Sequence, residues 1–125
     1  MPINDLKADE LIVKFCSNHK WQLEQDFKIH LPFHPSLKEI NIKKGFITDF
    51  ASIPKLFWSI LSPTGKYAIA SLIHDYLYSQ TTNLKRKECD RIFLKLMKIY
   101  GVSLIIRYLI YFFVRLFGKF YFYDK

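Results

Sequence analysis

Cysteine is nearly absent: Cys16 and Cys89 are the two in 125 residues, too few for a disulfide-dense secreted scaffold. They stand far apart in the chain with no CxxC spacing, which argues against a thiolate zinc site and for free thiols in a reducing compartment. Glycine (4) and proline (5) are also scarce, and half the residues are hydrophobic, which excludes collagen-like, low-complexity and disordered chains. The chain lacks a GxSxG elbow, a phosphate-binding glycine loop, an HExxH pair and zinc-finger spacing. Acidic residues number 11 against 19 Lys and Arg, a net charge of +8. Such a balance favours an anionic partner: nucleic acid, acidic lipid or an acidic protein face. Basic residues are scattered, with Lys85-Arg86-Lys87 the one run, and no recognition helix emerges, so nucleic acid is not the expected partner. The first ten residues are polar and acidic, unlike a signal peptide, and predict synthesis in the cytoplasm.

Aromatic residues, by contrast, are abundant, chiefly Phe (12) and Tyr (8). A chain of this length predicts one domain over residues 1–125, with no repeats and no linker. Its character changes near residue 50. Before that point, residues 11–15, 21–29, 40–42 and 45–48 read as short strands, with turns at 17–20 and 43–44 and a proline loop at 32–36. Beyond it the pattern is helical: a short helix from Ser52 to about residue 61, then helices over about 66–79, 85–100 and 102–117. Cys89, Ile92, Phe93, Leu96, Met97 and Tyr100 form a buried stripe on the third of these, which Gly101 ends. The expected fold is α+β: a small N-terminal antiparallel sheet, about residues 10–50, packed on a cluster of three to four helices, about residues 52–118. Phe57, Trp58 and Tyr67 are expected in the core, and His19, His30 and His34 on loop surface.

The C-terminal segment is apolar enough to raise the question of a membrane span. Arg107, Arg115 and Lys119 interrupt it, and a span needs roughly 20 apolar residues. Arg107, Tyr111 and Arg115 recur at i, i+4, i+8. That stripe predicts a helix that either packs on the core with its arginines snorkelling outward or lies on an anionic membrane. Arg107, Tyr111, Arg115 and Lys119 are thus the candidate membrane or partner surface.

Two segments carry the residues with chemical potential. His74 and Tyr78 are one turn apart on a helix, and Asp90 on the next helix is directed toward it. A carboxylate against an imidazole fixes the tautomer and raises basicity, as a general base requires. Asp75 is expected to face a different way and is the candidate cation ligand. Asp49 and Ser52 stand where the first helix begins, as caps or as further members of the cluster. The plain alternative is that His74 is a hydrogen-bonded core residue and Asp90 a dipole partner.

The stretch GFITDFASIP (45–54), Phe57-Trp58, His74-Asp75-Tyr76-Leu77-Tyr78, the Arg86-x-x-x-Asp90-x-x-Phe93 pattern and a closing Val114-Arg115-x-Phe117-Gly118 together resemble a small phage and prophage family, domain of unknown function 1353. The resemblance runs from about Trp21 to Gly118 and implies viral or prophage origin, but no activity. By the same token it implies synthesis in a host cytoplasm, with a place in the virion or at a membrane.

More locally, the His-Asp-x-x-Tyr helix followed by an Asp-x-x-Phe helix is similar to the helix pair of secretory-type phospholipases A2. That resemblance implies His74 as the base that deprotonates water, Asp90 as its orienting carboxylate, Tyr78 as support and Asp75 as a calcium ligand. Calcium would serve as the Lewis acid for the oxyanion. The glycine-rich calcium loop of that family has no clear counterpart here, the nearest piece being residues 62–65. Two functions remain open: a calcium-assisted phospholipid ester hydrolase, or a non-catalytic phage protein binding the virion, the host envelope or a host protein. A His/Asp metal hydrolase of another substrate ranks behind both, because His30 and His34 are poorly placed as further ligands.

Overall fold

A computed structural model describes residues 8–17, 20–31, 38–48, 67–79 and 84–118. Strands come first and helices second, an α+β arrangement, and the chain divides into two compact units, Met1–Thr48 and Asp49–Lys125.

Among the described residues, the first unit holds two small antiparallel sheets. Strands β1 (Val13–Ser17), β2 (Lys20–Leu23) and β5 (Ile47–Thr48) pair in the order β1-β2-β5, and β3 (Phe27–His30) pairs with β4 (Glu39–Ile42). The sequence predicts one strand over 21–29, but the chain breaks at Glu24-Gln25-Asp26 and its two halves join different sheets. Three consecutive polar residues end the ladder there. The Asp26 carboxylate instead accepts the Lys44 backbone N–H at 2.7 Å, and the Leu23 carbonyl accepts that of Gly45 at 3.0 Å. Gly45 sits at φ 94°, in the left-handed region where a side chain is unfavourable, so the 43–46 turn can close. Alternation on β3 and β4 buries Phe27, Ile29, Ile40 and Ile42. His30, expected on a loop, is half-buried on β3.

Among the described residues, the second unit comprises α1 (Ala68–Ser79), α2 (Arg86–Ile99) and α3 (Leu104–Phe117). Helix α1 carries small and apolar residues on nearly every side and is correspondingly buried, from Ala68 to Tyr78. Helix α2 is amphipathic and packs against both neighbours. Of its predicted stripe, Cys89, Ile92, Phe93, Leu96 and Met97 are buried, with Asp90 fully buried among them, whereas Tyr100 is half-buried because it lies past the last helical residue, at the C-cap. The Glu88 carboxylate caps its start by accepting the Lys85 N–H at 3.1 Å. At its end Gly101 takes φ 85°, and Val102 N–H bonds the Met97 carbonyl while Gly101 N–H bonds that of Lys98. This paired closure is the Schellman motif, and it turns the chain into α3 within four residues.

Helix α3 ends at Gly118 and is too short to span a bilayer; no helix among the described residues is long and apolar enough to do so. It buries Ile110 and Val114. The expected short helix from Ser52, the loops at 32–36 and 62–65, and the side chains of Asp49, Phe57, Trp58 and Lys119 lie outside the described residues, as do His19 and His34. Tyr67 is buried and tilts against Phe93, with ring centroids 6.0 Å apart. Cys16 is exposed, Cys89 is buried, and both are free thiols.

Candidate active site

One fully buried carboxylate ties the three helices together. Asp90 Oδ1 lies 2.7 Å from His74 Nε2 and accepts the Tyr78 hydroxyl at 2.5 Å, both from α1. Asp90 Oδ2 accepts Arg115 Nη1 of α3 at 2.7 Å and lies 3.5 Å from Arg86 Nη1, one turn earlier on α2. Helical spacing explains the convergence. His74 and Tyr78 are four apart and share a face, and so do Arg86 and Asp90. Their ring centroids bring His74 to 4.1 Å from Tyr78 and 4.4 Å from Phe93, the latter nearly parallel. The imidazole is thus fixed by a carboxylate at one edge and by an aromatic face.

The second guanidinium has a further task. Arg86 donates to the Val114 and Arg115 carbonyls, each at 3.1 Å, so it covers the electronegative C-terminal end of α3 while its charge faces Asp90. Gly118 closes the arrangement. A Cβ there would stand 2.6 Å from the Tyr78 hydroxyl, so a side chain at 118 would collide with the group that Asp90 holds.

The electrostatics follow from burial and bonding. Burial, the largest influence, pushes the Asp90 carboxyl up. The bonds from His74 and Tyr78, the electrostatic pull of His74 and the Arg115 bond together outweigh it, leaving Asp90 below the ordinary 3.8. Tyr78 is driven well above its ordinary 10.0, first by burial and then by its bond to Asp90, so its hydroxyl remains a donor. Arg115 is held more firmly protonated by its bond to Asp90. A buried carboxylate with this many donors is satisfied, which is the condition under which a buried charge is tolerated.

His74, Asp90 and Tyr78 are brought together. Asp75 is half-buried on α1, and among the described residues no group of three or more His, Cys, Asp or Glu could hold a metal ion. Asp49 and Ser52 fall outside the described residues.

The outward stripe on α3 needs correcting. Arg115 turns inward to Asp90, and the half-buried Arg107 donates to the Val102 carbonyl at 3.1 Å. Tyr111 is half-buried too. The outward face instead carries Leu104, Ile105, Leu109, Phe112 and Leu116. Periodicity showed that the two arginines share a face, but not that Asp90 waits beneath it. The signal that could have shown this was the closing Val114-Arg115-x-Phe117-Gly118 motif, whose first, second and last residues all meet the cluster.

An α+β chain with a carboxylate-anchored histidine buried between helices defines a class of architecture, not an activity. The chain belongs to the family described as protein of unknown function (DUF1353), whose model matches residues 21–114, about three quarters of its length. No curated protein and no solved structure matches it.

Proposed function

We propose that this chain is a phage or prophage hydrolase of phospholipid esters in which His74 is the general base. The observation that carries this reading is the single oxygen Asp90 Oδ1 shared by His74 Nε2 at 2.7 Å and the Tyr78 hydroxyl at 2.5 Å. With Nε2 committed to Asp90, base chemistry falls to Nδ1, which takes the proton from a water as that water attacks the ester carbonyl and returns it to the lysophospholipid oxygen as the ester C–O bond breaks. Asp90 then stabilises the imidazolium, and Tyr78, Arg115 and Arg86 keep Asp90 from rotating or protonating. The phage context and the calcium ion of the proposal rest on the resemblances in the sequence: GFITDFASIP with HDYLY for the first, and His74-Asp75 for the second.

Access is the demanding requirement. His74 is 3% exposed and Asp90 0%, so substrate reaches the ring only after a local opening. That burial favours a second reading, in which the cluster is a helix latch in a non-catalytic protein that binds a virion, envelope or host protein. Fatty-acid release from a dispersed short-chain phospholipid, with and without calcium, separates the two. The hydrolase releases it, and a folded His74→Gln variant does not; a latch releases none in either form.

A further inference from the structure

The outward faces of α2 and α3 differ sharply. On α3, Ile105, Leu109, Phe112 and Leu116 recur at i, i+4, i+7 and i+11, and Ile105 and Leu116 are 72% and 66% exposed. Leu104, Tyr108 and Phe117 extend the same exposed apolar surface, and the Arg107 guanidinium lies over the Tyr108 ring at 5.8 Å. The helix has no acidic residue, and its two arginines are engaged with Val102 and Asp90. A contiguous surface of this kind is unusual on a protein that has no partner for it.

On α2, Lys87, Arg91, Lys95 and Lys98 are all exposed and recur at i, i+4, i+8 and i+11, a basic row along one side. Among the described residues no ion pair takes up Lys87, Arg91 or Lys98. The acids of α2 are accounted for elsewhere, Glu88 at the helix start and Asp90 in the core. Because α2 and α3 are packed neighbours, the basic row and the apolar row run on adjacent helices, roughly 8–10 Å apart at the axes.

We propose that these two helices form a docking surface for an anionic lipid bilayer, with α3 lying in the interface and the α2 row over the headgroups. Helix α3 has 14 residues, about 21 Å of helix, so it lies along the surface and does not cross the hydrocarbon core. Its exposed Tyr108 and Phe112 suit the headgroup boundary, where aromatic rings concentrate. A second copy of the chain is the less fitting occupant. Anionic headgroups complement the exposed basic row of α2, whereas a second copy carries the same positive charge. The inference supplies the membrane partner of the proposed hydrolase and in that respect rests on it; its test reads binding, not chemistry.

The test is co-sedimentation of the full chain with vesicles of phosphatidylcholine alone and of phosphatidylcholine containing phosphatidylglycerol. Binding is expected to the anionic vesicles, weakening as salt rises. Lys87→Gln with Arg91→Gln should weaken it by roughly fivefold per residue, and Phe112→Asp with Leu116→Asp should abolish it, with helix content unchanged. Should the aspartate pair fail to fold, Phe112→Gln with Leu116→Gln makes the same comparison. Absence of binding to anionic vesicles overturns the proposal. Binding that survives both sets of substitutions also overturns it, as does a dimer that the Phe112 and Leu116 substitutions break while vesicles are ignored. Vesicle binding without fatty-acid release would uphold this surface while removing the hydrolase; release without vesicle binding would do the reverse.

Discussion

Replacing Asp90 by alanine removes the one group on which His74, Tyr78, Arg115 and Arg86 converge. The carboxylate is fully buried, and the two guanidinium side chains are only 28% and 21% exposed, so solvent can rescue the arginines in part but not the α1 pair. Breaking a buried ion pair from one side costs about 3–5 kcal/mol, because the partner charge is left behind. Here the partial exposure of the arginines pulls toward the lower end, while the stranded Tyr78 and His74 groups add about 1–3 kcal/mol between them. We therefore expect Asp90→Ala to destabilise the helical unit by about 4 kcal/mol, a large part of a total stability that is typically 5–15 kcal/mol. Guanidinium chloride unfolding followed by far-ultraviolet circular dichroism measures it, since all three helices belong to that unit. A double-mutant cycle with Arg115→Met should show a coupling of at least about 1 kcal/mol. If Asp90→Ala shifts stability by less than about 1 kcal/mol, Asp90 does not hold the helices together.

The remaining expectations are smaller. Asp90 is held below its ordinary 3.8, so its stabilisation is complete above that value and is lost as pH falls further; acid melts of the wild type should steepen there, and those of Asp90→Asn should not. Tyr78 is held above its ordinary 10.0, so its stabilisation is present below that pH and fades as pH climbs beyond it; Tyr78→Phe should remove this alkaline loss and cost about 1 kcal/mol at neutral pH. Gly118→Ala should destabilise by about 1–3 kcal/mol through contact with the Tyr78 hydroxyl, and pairing it with Tyr78→Phe should recover part of that cost in a thermal melt.

Much of the fold was legible because its signals are local. The 3/4 spacing of Cys89, Ile92, Phe93, Leu96 and Met97 marked the buried face of α2, and Gly101 marked its end. The break at residues 24–26 was hidden because strand periodicity passes through it: Trp21, Leu23, Phe27 and Ile29 keep the same parity while the hydrogen bonding changes partner. At the site, the approach of His74, Tyr78 and Asp90 could be read from helical spacing and a short connection. The inward turn of Arg115 could not, since an arginine on an apolar helix looks alike from sequence whether it snorkels to solvent or meets a buried carboxylate. Only the position of Asp90 across the α2–α3 contact decides between them, and that is a tertiary fact.

The central claim, that the Asp90-anchored His74 performs base chemistry on a phospholipid ester, is tested most directly by fatty-acid release from purified protein on anionic vesicles at millimolar calcium. The wild type should release fatty acid, and His74→Gln should lose that activity by about 100-fold or more with its helix content intact. Wild-type protein that binds the vesicles and releases none, or a His74→Gln variant that works as well as the wild type, would contradict the account.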